Sequence, residues 1–145
     1  MVAILYNSNN MQSQVYLAGP GNQYDPWRSV IKKISGFKFY DPDTDSDQSS
    51  SKMFFPQDLT AIRNSKILIA NPGTAPAEGT WIEIGYFHAL NTKKPGDFCN
   101  NLIIIWNKDR VSWSIEFIKK TGHVVETVEE AIYKLQELKL QRLIY

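Results

Sequence analysis

Three side chains in this sequence are of types that can work as nucleophile, proton carrier and orienting hydroxyl: Glu83, Asp58 and Tyr16. Glu83 is the one carboxylate inside an apolar run, flanked by Trp81, Ile82, Ile84 and Phe87 in the segment EGTWIEIGYFHAL (residues 78–90). Near a helix N-terminus its anion is favoured, and such a group can attack an electron-poor carbon or stabilise a growing positive charge. The same residues also fit a simpler pattern. Thr80-Trp81-Ile82-Glu83 is a T-x-x-E capping box, with Glu83 reaching back to the Thr80 N–H. The two readings coexist only if one carboxylate oxygen stays free. Asp58 falls in the first turn of a predicted helix, either as a favourable dipole contact or as a second carboxyl able to handle a proton. Tyr16, on an apolar strand, is either plain core or a buried hydroxyl that needs a carboxylate partner.

Those residues depend on a scaffold that alternates in kind along the chain. QVYLAG (14–19), FKFY (37–40), KILIAN (66–71), NLIIIW (101–106) and HVV (123–125) read as strands, several of them apolar on both faces. Between them fall helical patterns over 25–34, 55–65, 80–90, 112–120 and 127–140. Asp25 is the predicted cap of the first and Pro26 its first residue; Pro56 is the predicted start of the second. Strand and helix in alternation predict an α/β protein: a flavodoxin-like three-layer sandwich whose five-stranded parallel sheet, order 2-1-3-4-5, carries helices on both faces. Ligands of such sheets bind beyond the carboxyl ends of the strands. That gathers 19–23, 41–55, 71–80 and 107–112 around one crevice. Gly19, Pro20, Asp41, Asp43, Asn71, Glu78, Gly79 and Thr80 are its candidate substrate contacts.

The 145 residues, 43% of them hydrophobic, fit one domain with a full core, spanning 1–145. Within it, 1–13 read as an N-terminal extension or, through VAILY, as an extra edge strand, and 41–55 as a mobile active-site loop. A net charge of +1, with no basic stripe, argues against nucleic acid or an anionic membrane as partner. No apolar run approaches a membrane span, the start lacks a basic flank and a cleavage site, and the lone Cys99 leaves no internal disulfide. A cytoplasmic protein is expected.

Several familiar motifs fail. Tyr24 occupies the third glycine position of a dinucleotide fingerprint begun by Gly19 and Gly21, and no Walker lysine follows. Asp41, Asp43, Asp45 and Asp47 alternate like a calcium loop, but Ser46 replaces its glycine and Lys52 its glutamate. His88 and His123 have no partner at metal spacing, so neither metal nor cofactor is expected. Receiver domains need an acidic pair after the first strand, and flavodoxins a hydroxyl-rich loop; GPGNQ is neither.

VYLAGP (15–20), QDLTAIRNSKILIANP (57–72) and GTWIEIGYFHAL (79–90) together resemble the nucleoside 2-deoxyribosyltransferase family, which includes related deoxynucleoside monophosphate N-glycosidases. The likeness runs from about Gln14 to Val125, and its most specific part is G-T-x-x-E-x-G-Y after a strand ending in Asn-Pro. The resemblance implies that Glu83 is the nucleophile, that Tyr16 orients it, and that Asp58 serves the departing base. It implies a deoxynucleoside and a free nucleobase as substrates; Trp81, Tyr24 and Phe55, aromatic residues near the crevice, are candidates to stack on the base. It also implies a homodimer or higher homo-oligomer, in which Ser112 or Ser114 of a neighbour meets any phosphate. Gly79 matches a glycine that lets the chain approach the sugar. Ala77 departs from the family aspartate that contacts sugar hydroxyls, which leaves Glu78 or Thr80 for that task. Arg28 lies too far along the chain to reproduce the glycine-loop arginine of the monophosphate hydrolases, which tilts against a phosphorylated substrate.

Overall fold

Residue-by-residue alternation along each strand feeds two separate cores. In the computed structural model, which describes residues 14–21, 25–110 and 114–141, five strands form one parallel sheet: β1 (Gln14–Ala18), β2 (Lys38–Tyr40), β3 (Ile67–Ala70), β4 (Leu102–Ile105) and β5 (His123–Val125). Their spatial order is β2-β1-β3-β4-β5, as the strand pattern predicts. Val15, Leu17, Ile67, Ile69, Ile103 and Ile105 point to one face. There they pack on α1 (Trp27–Ile31) through Trp27 and Ile31, and on Leu135 of the last helix, Val128–Leu140. Tyr16, Ala18, Leu68, Ala70, Leu102 and Ile104 point to the other face.

Further helices pack on the second face. After α1 and β2 comes a single helical turn, α2 (Pro42–Asp45), and then α3 (Ser51–Arg63), which buries Ala61 and Ile62. Next on that face is α4 (Glu78–Leu90), burying Ile84 and Phe87, followed by the short α5 (Ile115–Ile118). The closing helix is α6, the Val128–Leu140 segment, capped by the Thr127 hydroxyl accepting from Glu130 N. Sheet and helices on both sides make three layers. Among the described residues no helix is long and apolar enough to cross a membrane.

Three predicted helix starts are displaced. Pro26, not Asp25, holds the cap position of α1, and Asp25 Oδ1 accepts from Trp27 N at 3.1 Å. α3 begins at Ser51 and contains Pro56 in its sixth position. The proline removes one helical donor and leaves the carbonyl of exposed Lys52 without its helical partner, near the end where that loss costs least. The expected loop 41–55 is therefore helical at both ends, over Pro42–Asp45 and from Ser51 onward. α4 begins at Glu78, two residues before Thr80, and the capping box does not form. Its cap residue, Ala77, adopts the left-handed conformation (φ 57°, ψ 42°) with no side-chain cap bond. For a non-glycine residue that conformation costs on the order of 1 kcal/mol. The predicted extension 1–13, Tyr24, Ser112 and Trp113 lie outside the described residues.

Candidate active site

β1 ends in Gly19-Pro20-Gly21, and Gly19 is hemmed in. A Cβ there would sit 2.9 Å from the Asn71 carbonyl and 3.1 Å from the Trp27 ring. This tight turn forms one wall of a cavity of about 340 Å³ at the carboxyl end of the sheet. Pro42, Asp43 and Gln48 make a second wall, Phe54, Phe55, Asp58 and Leu59 of α3 a third, and Ala77–Thr80 with Glu83 of α4 the fourth. Eight predicted site residues thus meet in one place: Gly19, Pro20, Asp43, Asp58, Glu78, Gly79, Thr80 and Glu83. A Cβ built on Gly79 would meet no atom within 4 Å, so protein packing does not demand glycine there.

Glu83 does not fold back on its own helix. Its Oε2 accepts a hydrogen bond from the hydroxyl of fully buried Tyr16, and Oε1 takes none from the described residues. Both readings of Tyr16 hold, since it is core and partner at once. Burial pushes the Glu83 carboxyl up to about 7; the Tyr16 hydrogen bond opposes this, the charge of Asp58 adds to it, and Arg28 opposes it. The Tyr16 hydroxyl is itself driven far above its ordinary range, first by burial and then by the Glu83 charge, so it remains a donor.

Asp58 stands in the eighth position of α3, two turns past the helix start, so the dipole explanation does not apply. Its carboxyl is raised by burial, lowered by a hydrogen bond that Ser46 Oγ donates to Oδ1, raised by Asp43 and lowered by Arg28. Oδ2 takes no hydrogen bond from the described residues.

Arg28, which sequence reasoning set aside, braces the wall of this cavity. It sits in α1, but its guanidinium turns back under the β1 turn. Nη2 donates to Gly19 O at 2.8 Å and Leu17 O at 3.3 Å, and Nη1 to Asp43 Oδ2 at 3.0 Å. Asp41 lies behind the cavity wall, buried, with Lys32 Nζ at 2.6 Å and Arg28 Nε at 3.5 Å. Its other oxygen accepts from Asp43 N, while Asp45 Oδ2 accepts from Asp41 N. Of the alternating aspartates, Asp41 caps α2, Asp41 and Asp43 pair with cations, and Asp45 accepts from Asp41 N, which gives a structured turn where a solvated loop was expected.

Other predicted contacts lie elsewhere. The Asn71 amide faces Asp25 at 3.5 Å, beside a separate depression that also exposes Asn107 and Glu126. Ser114 precedes α5 and does not line the Glu83 cavity. Trp81 points to the opposite side of α4, with Trp106 at 6.3 Å and the Arg110 guanidinium 5.7 Å above its ring. Arg110 also holds the 72–75 turn, donating to Gly73 O at 2.6 Å and to Pro72 O at 3.2 Å. Of the aromatic residues expected to stack on a base, Phe55 lines the site, joined by Phe54. A larger cavity of about 570 Å³ lies beyond Trp81, walled by Ile84, His88, Phe117 and Ile118. It is nearly all apolar, and His88 Nε2 is engaged by the Asp97 carbonyl at 2.7 Å. Convergent carboxylates make the smaller cavity the candidate site. Among the described residues no group of three His, Cys, Asp or Glu side chains could hold a metal.

No family model and no curated protein matches this chain. Solved structures do. BlsM, known from a solution structure, superposes with a TM-score of 0.61 at 16% identity, over 91% of each chain. A 2-deoxyribosyltransferase of Bacillus psychrosaccharolyticus gives 0.58 at 15% identity, over 83% of this chain and 90% of that one. The CMP N-glycosidase BcmB of Clostridium botulinum gives 0.54 at 19% identity, over 86% of this chain and 99% of that one. The chain has the fold of solved 2-deoxyribosyltransferase and CMP N-glycosidase structures, the same group its motifs resemble.

Proposed function

We propose that this protein cleaves the N-glycosidic bond of a 2'-deoxynucleoside through a covalent glutamyl-deoxyribose intermediate and passes the sugar to another nucleobase. One observation carries the reading: Glu83 lines a cavity with one oxygen held by Tyr16 and the other unbonded by any described residue, and Asp58 lines the same cavity. The names of two structural neighbours, a 2-deoxyribosyltransferase and a CMP N-glycosidase, support it at the level of reaction type.

Breaking the bond leaves the sugar carbon cationic. The free oxygen of Glu83 meets that charge and then bonds to the carbon. Asp58 gives its proton to the departing base. A neutral Asp58 removes the negative charge that raises Glu83, which favours the ionised nucleophile. The incoming base attacks the sugar carbon, displaces the Glu83 carboxylate and returns a proton to Asp58. Two displacements retain configuration, as in retaining glycosidases. A 2'-hydroxyl withdraws electrons and would disfavour the cation, which suits a deoxyribose. Phe54 and Phe55 offer faces for the base, and Glu78 or Thr80 can serve the sugar hydroxyls where Ala77 replaces the family aspartate.

Asp43, Asp58, Glu78 and Glu83 line the cavity, and no Lys or Arg is among the described lining residues. This acidic lining favours an unphosphorylated nucleoside over a 5'-monophosphate. Assembly into a homodimer or higher oligomer belongs to the same reading, supported by Phe117, which is 69% exposed beside the apolar cavity.

The test is base exchange. A deoxynucleoside incubated with a second free base should yield the new nucleoside, and without it little free sugar. Glu83→Ala should abolish both while keeping the wild-type circular dichroism. Sugar release independent of the added base would make the protein a hydrolase; undiminished exchange by folded Glu83→Ala would remove the nucleophile.

A further inference from the structure

The two carboxyl groups of the cavity are held by two tyrosines in different ways. Tyr16 reaches Glu83 directly, whereas Tyr40, its register partner on β2, ends 2.7 Å from Ser46 Oγ, and Ser46 in turn donates to Asp58 Oδ1. We propose that Tyr40 and Ser46 are positioning residues for Asp58, a hydroxyl relay that occupies Oδ1 and leaves Oδ2 as the atom that carries a proton into the cavity. This rests on the reading that Asp58 exchanges a proton with the base.

Proton placement along the relay is determined by the donors present. A serine hydroxyl has one proton, and here it goes to Asp58 Oδ1. The Tyr40 proton then goes to Ser46 Oγ at 2.7 Å in preference to the Asp45 carbonyl, which lies farther off at 3.3 Å. Both hydroxyls are thereby oriented, and neither has a second proton with which to turn away. When Asp58 is neutral, its proton sits on Oδ2, because Oδ1 already receives one from Ser46. When Asp58 is ionised, the same Ser46 bond supports the anion. Only the Oδ2 proton changes between the two states, and it is the one exchanged with the nitrogen of the base.

The surroundings fit a post that must not drift. Ser46 and Asp58 are both buried, at 8% exposure each, and Ser46 directly follows α2. Tyr40 is fixed by stacking on Tyr16, ring centroids 5.7 Å apart and planes within 12°. Charged groups around Asp58 come from three further elements: Asp43 on α2 raises its proton affinity, Arg28 on α1 lowers it, and Glu83 on α4 shares the cavity and is itself raised by the Asp58 charge. None of these touches Oδ1 by hydrogen bond, so among the described residues Ser46 is its one donor.

The experiment is an NMR titration of the Asp58 carboxyl carbon in full-length protein labelled at aspartate, with Asp58→Asn for assignment. Ser46→Ala should move the Asp58 midpoint upward by about one to two pH units, the effect of losing one charge-assisted donor. Tyr40→Phe, which keeps the stack, should move it the same way by less, and Ser46→Thr should restore the wild-type midpoint. In the exchange assay, the alkaline fall of kcat in Ser46→Ala should move up with the titration, while KM stays near wild type. An Asp58 midpoint unchanged in folded Ser46→Ala overturns the relay, as does a rate profile that ignores a shifted midpoint. If the wild-type protein exchanges no base, the function proposed above fails, and the titration still decides whether Ser46 and Tyr40 govern Asp58.

Discussion

Tyr16 and Tyr40 face each other across adjacent parallel strands, and their rings stack 5.7 Å apart at 12°. A residue pair in strand register points to the same face of the sheet, so both hydroxyls emerge beneath the same crevice. Tyr16 turns to the helix that carries Glu83, and Tyr40 to the turn that carries Ser46. The stack sits in the layer shared by β1, α3 and α4, which ties catalytic geometry to the packing of the core.

Removing the Tyr16 hydroxyl tests the direct arm of that arrangement. Its hydrogen bond favours ionised Glu83, so without it the carboxyl should rise above about 7. Tyr16→Phe should cost roughly 10–1000-fold in kcat through lost orientation. It should also move the acid limb of the rate profile to higher pH, because Glu83 must be ionised to attack. A limb that stays in place or moves to lower pH would show that Tyr16 does not act on Glu83. Ring stacking on Tyr40 is retained in this variant, which isolates the hydroxyl.

Glu83 itself makes a stability prediction of unusual sign. Its folded-state carboxyl protonates at about 7 against an ordinary 4.5. Between those values the folded chain holds a proton that the unfolded chain has lost, so this group's contribution is full below 4.5 and is lost as pH rises through 7. Glu83→Gln keeps an acceptor for Tyr16 and has no charge to bury. It should be more stable than wild type by about 1–2 kcal/mol at about pH 8, after discounting for partial exposure, with the gain vanishing by about pH 4. Thermal melts of both proteins across that range provide the measurement. A variant less stable at both ends would mean that the ionised group is well solvated in the fold.

The fold was legible because its strands are nearly continuous apolar runs. Ile67–Ala70 and Leu102–Ile105 are buried on both faces, a pattern that only a covered parallel sheet uses. Helix starts were legible only where a side chain caps the end, as Thr127 does. Pro56 misleads because it lies inside α3, and Thr80 because the cap position falls to Ala77 in a left-handed conformation with no side-chain signature. Glu83, Tyr16 and Asp58 stood out through their apolar settings and the family likeness. Ser46, Tyr40 and Arg28 did not, because each acts on a partner that only tertiary contact supplies. Ser46 meets Asp58 twelve residues away, and Arg28 bends out of its helix to reach β1. A polar residue in the expected loop and an arginine on a short amphipathic helix carry no local mark of such partners.

Arg28 offers the clearest energetic test of the cavity wall. Its guanidinium is buried and joins Asp41, Asp43 and the carbonyls of Leu17, Gly19 and Pro20. Replacing it with Met preserves most of the stem packing but strands two carboxylates, one of them buried, with Lys32 alone to serve Asp41. Removing one partner of a buried pair typically costs about 3–5 kcal/mol, because the remaining charge stays desolvated. Arg28→Met should therefore lose about that much in urea unfolding, with little relief from added salt, which screens buried charges poorly. Arg28→Lys keeps the charge without the planar fork, so it should recover only part of the loss. Activity should fall in both through a higher KM, as the Gly19 turn and Asp43, both lining the cavity, are no longer tied together. Were Arg28→Met to unfold within about 1 kcal/mol of wild type, Asp41 and Asp43 would be satisfied by water, and the wall would owe its shape to the Gly19 turn alone.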